Sequence, residues 1–576
     1  MKNIHIIISF LLLLPVKVFC QQNTDKYNFD FERPLKGSSW ICILDDFKVK
    51  MDSMNKSTGK YSLLMTRTFL KKEFNLNINQ PILLPQKIKE IKASIFAESK
   101  QLASAELKIT GFDRTRSNSV SDSISIISDG SWKNFTAAIT SDQGFEILTI
   151  EIKAKEEFKI KKNWVNLWVD NLQIILDGTN LYDYKNNDKS FSKEEYDDVN
   201  NCIELTPSLT IPQNTNEKNN SKIVGFGESV HGSKEINRSV FNNIITLIQN
   251  QNCRLVLLEV PIDLGIRLNQ YINEENFDED LKELISGYLI DYAEFSSFLN
   301  WLKQYNLKTD DKVYLFGFDN YAGYVPRNIN NFILSQKNHS DEIDSLLSLI
   351  NSHKYRSIPL RYAENHFNEL QSLYGKKQAS AIIQYLKNRT DSLCRIVTWR
   401  KSQDWHGVTR DYLMWQNVKF AIENLREKTS KIAIYSHLSH LDKKNPVFLN
   451  SVKSLGQYLN EYYGENYDLT GMFIGEGTIS TFNDSNIPIS QRINSPNNAS
   501  IEYVCTLSGK DRFYKTLPVL STIPLLNRRV GTYYCESREF TPSFIKGSMD
   551  AIIFIRESTA GLILPQSRKY NLYKKK

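Results

Sequence analysis

The chain is poor in the residues whose chemistry is easiest to read. Of 576 residues only seven are cysteine and eight are histidine. No two cysteines have CxxC or other zinc-ligand spacing, which removes the common structural zinc sites and the dithiol redox motif. There is no G-x-S-x-G elbow to present a serine nucleophile, and no H-E-x-x-H helix of a zinc peptidase. Beyond the first residues no apolar run reaches the roughly 18 residues a transmembrane helix requires. Charge of one sign is missing as well. The 72 Lys and Arg are offset by 65 Asp and Glu. Outside the terminal Lys574-Lys575-Lys576 the bases are scattered, so no nucleic-acid partner is expected.

What remains is the composition of a globular protein, 41% hydrophobic and 24% charged, long enough for two or more domains. Residues 1–20 differ from the rest. Lys2 precedes an apolar run over 4–14, then Pro15 and Val18-Phe19-Cys20, the pattern of a secretory signal peptide. Cleavage after Cys20 leaves Gln21 first; the alternative keeps Cys20 as the acylated residue of a lipoprotein. Either way the expected location is secreted or periplasmic, with no transmembrane segment after cleavage. The remaining cysteines (Cys42, Cys202, Cys253, Cys394, Cys505 and Cys535) are read as free thiols or as including a Cys505–Cys535 disulfide.

Residues 21–182 carry short alternating runs such as YSLLMT, EIKASIFAE, AELKITGF and VNLWVDNLQIIL, separated by polar turns. They predict an all-β, jelly-roll-like sandwich. The last run resembles the closing strand of carbohydrate-binding modules, so a glycan is an expected ligand; a purely supporting sandwich is the plainer reading. Residues 183–221, rich in Asn, Lys, Asp and Ser, predict a linker. Over 222–576 strand-like and helical runs alternate. This predicts an α/β domain, a mostly parallel sheet flanked by helices, with strands near 223–226, 254–258, 312–318, 431–436, 469–474 and 551–555. Residues 326–430 show no strand pattern and predict a helical insertion that walls or covers a cleft.

In an open parallel sheet, ligands bind beyond the carboxyl ends of the strands. The predicted tips carry Glu228 and His231 in GESVHG, Glu259, Asp319, His437 and His440 in YSHLSHL, and Glu476 in GEG. Each alone has a bland explanation as a turn, capping or solvated residue. Together they form a candidate site. Gly227 and Gly232 relax the backbone of the first turn, Ser233 is a candidate helix N-cap, and the helix dipole disfavours a charged His231. A neutral imidazole takes a proton from water, with Glu228 or Glu259 orienting it.

These stretches resemble the erythromycin esterase family: GFGESVHGSKE at 225–235, LLEVP at 257–261, LFGFDNY at 315–321, RDYLMWQNV at 410–418, IYSHLSHL at 434–441, SLGQYLNEYYG at 454–464 and GMFIGEGT at 471–478. The resemblance implies hydrolysis of an ester or lactone without metal or cofactor. Macrolide lactones are the family's known substrates, and antibiotic resistance is an associated role. It implies a general base at His231 beside Glu228, and its acid, late-histidine and R-D…N positions fall on Glu259, on His437 and His440, and on Arg410, Asp411 and Asn417. With the strand-tip reading, Glu259 and His437 join the expected catalytic set, and His440, Arg410, Asn417, Asp319 and Glu476 are expected toward substrate. His437 or Arg410 would meet the oxyanion. Two positions depart from the family pattern. Leu438 stands where Asn is usual between the late histidines. Val240 stands where a base is usual in the first helix, and Arg238, the nearest base, lies on another face. These departures motivate a rival reading, a surface glycan-binding or assembly protein with a degenerate esterase-like domain.

Overall fold

The computed structural model describes residues 27–565, apart from 36–37, 46–47, 68–73, 103, 114–117, 157–164, 185–198, 213–220, 278, 321–326, 336–339, 353–356, 391–408, 427–428, 445–452, 484, 486, 517–523 and 546. The expected signal peptide (residues 1–20), including Cys20, lies outside the described residues.

Period-two alternation gives the first domain its strands: β1 (Ile41–Asp45), β2 (Lys48–Asp52), β3 (Ser62–Arg67), β4 (Phe74–Lys100), β5 (Ser104–Phe112), β6 (Ser119–Ser125), β7 (Lys133–Glu156), β8 (Val165–Leu176) and β9 (Thr179–Asn180). They pair antiparallel in the order β2-β3-β8-β4-β7-β5-β6. The 27-residue β4 and 24-residue β7 are bent strands. Their register breaks between Leu83 and Glu90, and Gly144 takes a φ of +70°. Such irregularities let a strand turn a corner of the sheet. Ile78, Ile95, Leu107, Ile152, Leu167 and Ile174 fill the interior.

The second domain holds β10 (Ile203–Glu204), β11 (Ile223–Glu228), β12 (Cys253–Pro261), β13 (Tyr314–Asp319), β14 (Lys431–His437), β15 (Tyr467–Phe482), β16 (Pro488–Ile493), β17 (Arg512–Thr516), the hairpin strands β18 (Pro524–Arg528) and β19 (Phe540–Phe544), and β20 (Ala551–Ser558). Its sheet order is β10-β17-β20-β15-β11-β14-β12-β13. The six strands read from the sequence are the parallel ones. The sheet as a whole is mixed, because β17 runs antiparallel on β20, β10 on β17, and β16 on β15. These additional strands are short, and β16 is largely exposed, so they lack the apolar signature of a strand buried on both faces.

Apolar clusters cover both faces of the sheet. The helices Lys234–Asn250 and Tyr292–Leu307 bury Ile236, Val240, Phe295 and Leu299 against Val256, Leu315 and Ile553 on one face. On the other, helices between Arg327 and Thr390 bury Ile343, Leu346, Ile382 and Leu386 in one cluster with Leu255, Phe316 and Ile434. Among the described residues of 326–430 there is no strand. These helices are a packed layer of the domain, a wall in continuity with the sheet core. The β18–β19 hairpin touches the first domain, where Phe544 meets Phe112, Ile147 and Leu83. Cys505 and Cys535 are both free thiols, so the disulfide reading is not realised. No helix among the described residues is long and apolar enough to cross a membrane.

Candidate active site

Four neighbouring parallel strands, β13-β12-β14-β11, deliver Asp319, Glu259, His437 and Glu228 near their carboxyl ends. Glu228 and His437 are register partners. The register between β12 and β13 shifts after Leu258.

The GESVHG turn is held by backbone from distant segments. Ser229 N–H donates to Met472 O, His231 N–H to Val530 O, and Ser480 N–H to Gly232 O, each at 3.0 Å. Ser233 caps the following helix by accepting from Ile236 N. The two glycines have different tasks. Gly232 has φ +76°, and a Cβ there would stand 2.0 Å from Ser480 O. Gly227 makes room for Leu438, whose Cδ1 would lie 2.7 Å from a Cβ. Leu438 is fully buried, so it acts as packing where a polar contact was expected.

His231 Nδ1 lies 2.6 Å from Glu228 Oε1, and Tyr435 O–H donates to Glu228 Oε2 at 2.7 Å. This chain places the ring hydrogen on Nδ1 and leaves Nε2 with its lone pair. The Glu228 side chain is only 4% exposed, while that of His231 is 18% exposed, enough to meet water. Burial opposes charge on His231, but Glu228, with a further contribution from Glu259, outweighs it and raises the pKa above its ordinary value. The expectation from the helix dipole is therefore reversed: a carboxylate in contact exceeds a partial charge at a helix end.

Glu259 is surrounded by donors: Arg410 Nη2 at 2.9 Å, Ser436 O–H at 2.6 Å and His437 N–H at 3.0 Å. Burial opposes its charge, yet His440, Arg410 and His231 hold the carboxyl well below its usual range. Arg410 also grips Asp319 through Nε and Nη2, at 3.1 and 2.9 Å, and donates from Nη1 to His440 Nε2 at 3.0 Å. His440 Nδ1 faces Asp411 at 2.9 Å, which in turn accepts from Leu455 N–H. In the neutral ring Nε2 accepts from Arg410. Glu259 Oε1 lies 3.5 Å from the same atom and is its ion-pair partner when the ring is charged.

His437 differs from the other two histidines. Its Nδ1 accepts Ser439 N–H at 3.2 Å, so a neutral ring carries its hydrogen on Nε2. That atom is buried and has no hydrogen-bond partner among the described residues. Burial, then the neighbouring His231 and His440, push its pKa well below the ordinary value. The ring centroids of His231 and His437 stand 4.7 Å apart.

Two expected residues stand apart. Asn417 is fully buried, donating to Phe318 O and accepting from Gln384 and Asn388, so it ties the helix Arg410–Asn424 to β13. Glu476 is exposed within β15, opposite Glu557; the strand continues to Phe482, so this residue is not at a tip. Val240 is buried in the core, and Arg238 pairs with Glu294. Asp411, expected from the R-D…N helix, reaches His440, while two contributors lay outside the expected site: Tyr435 and Ser436. Tyr435 and Ser436 sit on opposite faces of β14, which a strand-tip search misses.

The erythromycin esterase profile matches residues 248–558. A search of curated proteins returns no match. A solved Bacillus cereus protein shares 18% identity and a TM-score of 0.51, covering 65% of this chain and 100% of that one. A solved succinoglycan biosynthesis protein gives 18% identity and a TM-score of 0.53, with the same coverage. The erythromycin esterase EreC, as a mutant in its open conformation, aligns at 18% identity and a TM-score of 0.43, covering 62% of this chain and 94% of that one. The first domain aligns with a carbohydrate-binding module solved with β-1,4-galactotriose, at 18% identity and a TM-score of 0.20, covering 26% of this chain and 95% of that one. By the profile match, which spans more than half its length, the chain belongs to the erythromycin esterase family.

Proposed function

We propose that the protein is an exported hydrolase of carboxylic esters or lactones in which His231 is the general base. The observation that carries this reading is the His231–Glu228 contact of 2.6 Å on a ring partly open to solvent. Water bound at His231 Nε2 gives up a proton as its oxygen attacks the carbonyl carbon, and Glu228 stabilises the imidazolium that forms. Tyr435 holds Glu228 in place. The oxyanion is met by Arg410, whose guanidinium has one of its five N–H groups left after Asp319, Glu259 and His440 are served, and by the unpartnered His437 Nε2–H. The imidazolium then returns its proton to the departing alkoxide, giving acid and alcohol. Glu259, gripped by its donors, positions Arg410 and the turn that follows β14. The substrate is a macrolide-type lactone or an ester on a glycan or polyketide, with the first domain as the site of glycan contact.

The test is acid release from a panel of esters and lactones, a macrolide included, with products identified by mass. Turnover that depends on His231 supports the reading. A chain that retains glycan yet hydrolyses nothing in the panel is the non-catalytic binder instead.

The pH dependence has a defined sign. His231 works as the neutral base, and its pKa is raised, so kcat/KM should climb with pH along a limb centred above 6.5. Glu228→Gln removes the charge but keeps an acceptor for Nδ1–H. It should move that limb to lower pH and reduce kcat by roughly 10²-fold, since the imidazolium loses its counter-ion. An unmoved limb would show that another group titrates there.

A further inference from the structure

Arg529 follows β18 and is a buried cation, with its side chain 3% exposed. Nε donates to Asn527 Oδ1 at 2.8 Å, Nη1 to Ser439 Oγ at 3.2 Å, and Nη2 to Asp442 Oδ2 at 2.7 Å. Ser439 and Asp442 belong to the turn that begins with His437 and contains His440. The next residue, Val530, exchanges backbone hydrogen bonds with the other histidine-bearing turn, accepting from His231 N–H and donating to Ser229 O. One dipeptide of the hairpin therefore meets both turns, from a strand pair remote in sequence. None of the three hydrogen bonds of the guanidinium goes to an imidazole, so any effect on catalysis acts through the turn.

We infer that Arg529 is a positioning residue of this site, clamping the turn 437–442 so that His437 is held against His231. The inference rests on the hydrolase reading for its kinetic consequence, but not for its structural one. The charged and titratable groups facing His437 are His231, His440, Glu259 and Arg529. Of these only Glu259 favours a proton on the ring; the other three oppose it. A clamp of this kind matters because displacing a reacting group by about 1 Å lowers rates by roughly 10²-fold.

The test uses the full chain with Arg529→Met, Arg529→Lys and Ser439→Ala. Arg529→Met should lower kcat by roughly 10- to 100-fold with KM changed less than about 2-fold. Arg529→Lys keeps the charge but cannot span three acceptors, and should lose kcat while leaving the acid limb in place. Ser439→Ala removes one anchor and should lose about 3- to 10-fold. Histidine-labelled NMR, with His437 assigned by its own substitution to Gln, gives a readout independent of turnover. The nuclear Overhauser contact between the His231 and His437 rings, whose centroids stand 4.7 Å apart, should be present in the native chain and be weakened or lost in Arg529→Met. A folded Arg529→Met with native kcat and the native contact between the His231 and His437 rings overturns the inference. Where Arg529→Met does not fold, native kcat in both other variants overturns it. In a chain that hydrolyses nothing, the contact between the two rings still decides the clamp, so the two readings fail separately.

Discussion

Replacing His231 with alanine is expected to reduce ester turnover by roughly 10³-fold, about 4 kcal/mol of transition-state stabilisation. The size follows from what the ring supplies. Without it, water must be deprotonated by solvent, and Glu228 is left buried with Tyr435 as its remaining neighbour in the dyad. Glu228 cannot take over, because it is 4% exposed while the His231 ring stands toward the solvent. His231→Gln is the sharper variant, since its amide can still donate to Glu228 but cannot accept the proton. Both variants should lose kcat with little change in KM, and His231→Gln should unfold at nearly the native temperature. Wild-type rates in a correctly folded His231→Gln protein would remove His231 from the mechanism.

The second large effect concerns stability. Arg528 and Glu539 form an ion pair with both side chains fully buried, at 2.7 Å. The same guanidinium donates to Ile474 O at 2.6 Å, Gly475 O at 2.7 Å and Asn494 O at 2.5 Å. It thereby joins the β18–β19 hairpin to β15 and to the segment after β16. Arg528→Met strands a buried carboxylate and three carbonyls, and should cost about 3–5 kcal/mol in chemical denaturation. The double variant Arg528→Met with Glu539→Leu should recover much of that loss, because a well-packed apolar pair avoids the desolvation of both ions. A single-variant loss below about 1 kcal/mol would show that the pair is not the anchor its burial indicates. Val530, two residues on, holds His231 N–H, so activity should fall alongside stability.

The parallel strands were legible because both of their faces are buried. Such strands are continuous apolar runs, as IVGF, LVLL and IAIYS are, and their carboxyl ends could be searched for acids and histidines. The antiparallel edge was not legible: β16 alternates weakly and is mostly exposed, and β10 has two residues. Asp319, Arg410, Glu259 and His440 were each visible as residue types, but their joining into one hydrogen-bonded network was not. Glu476 misled because GEG resembles a turn, while β15 runs through it. Val240 and Leu438 looked like missing polar groups and are core packing. Tyr435 gave no warning, since a tyrosine inside an apolar run is ordinary core until its hydroxyl is seen on a carboxylate.

The sequence by itself determined the two grammars of the chain, the order of the parallel strands along it, and which turns carry a carboxylate and an imidazole. These are local properties, set by side-chain period and glycine placement within ten residues or so. Tertiary structure alone decided the protonation preferences. Glu228 raises the pKa of His231, while burial among His231, His440 and Arg529 lowers that of His437. A pKa depends on charges a few ångströms away in space, and here they come from segments as far apart as 228, 437 and 529, which share no sequence window.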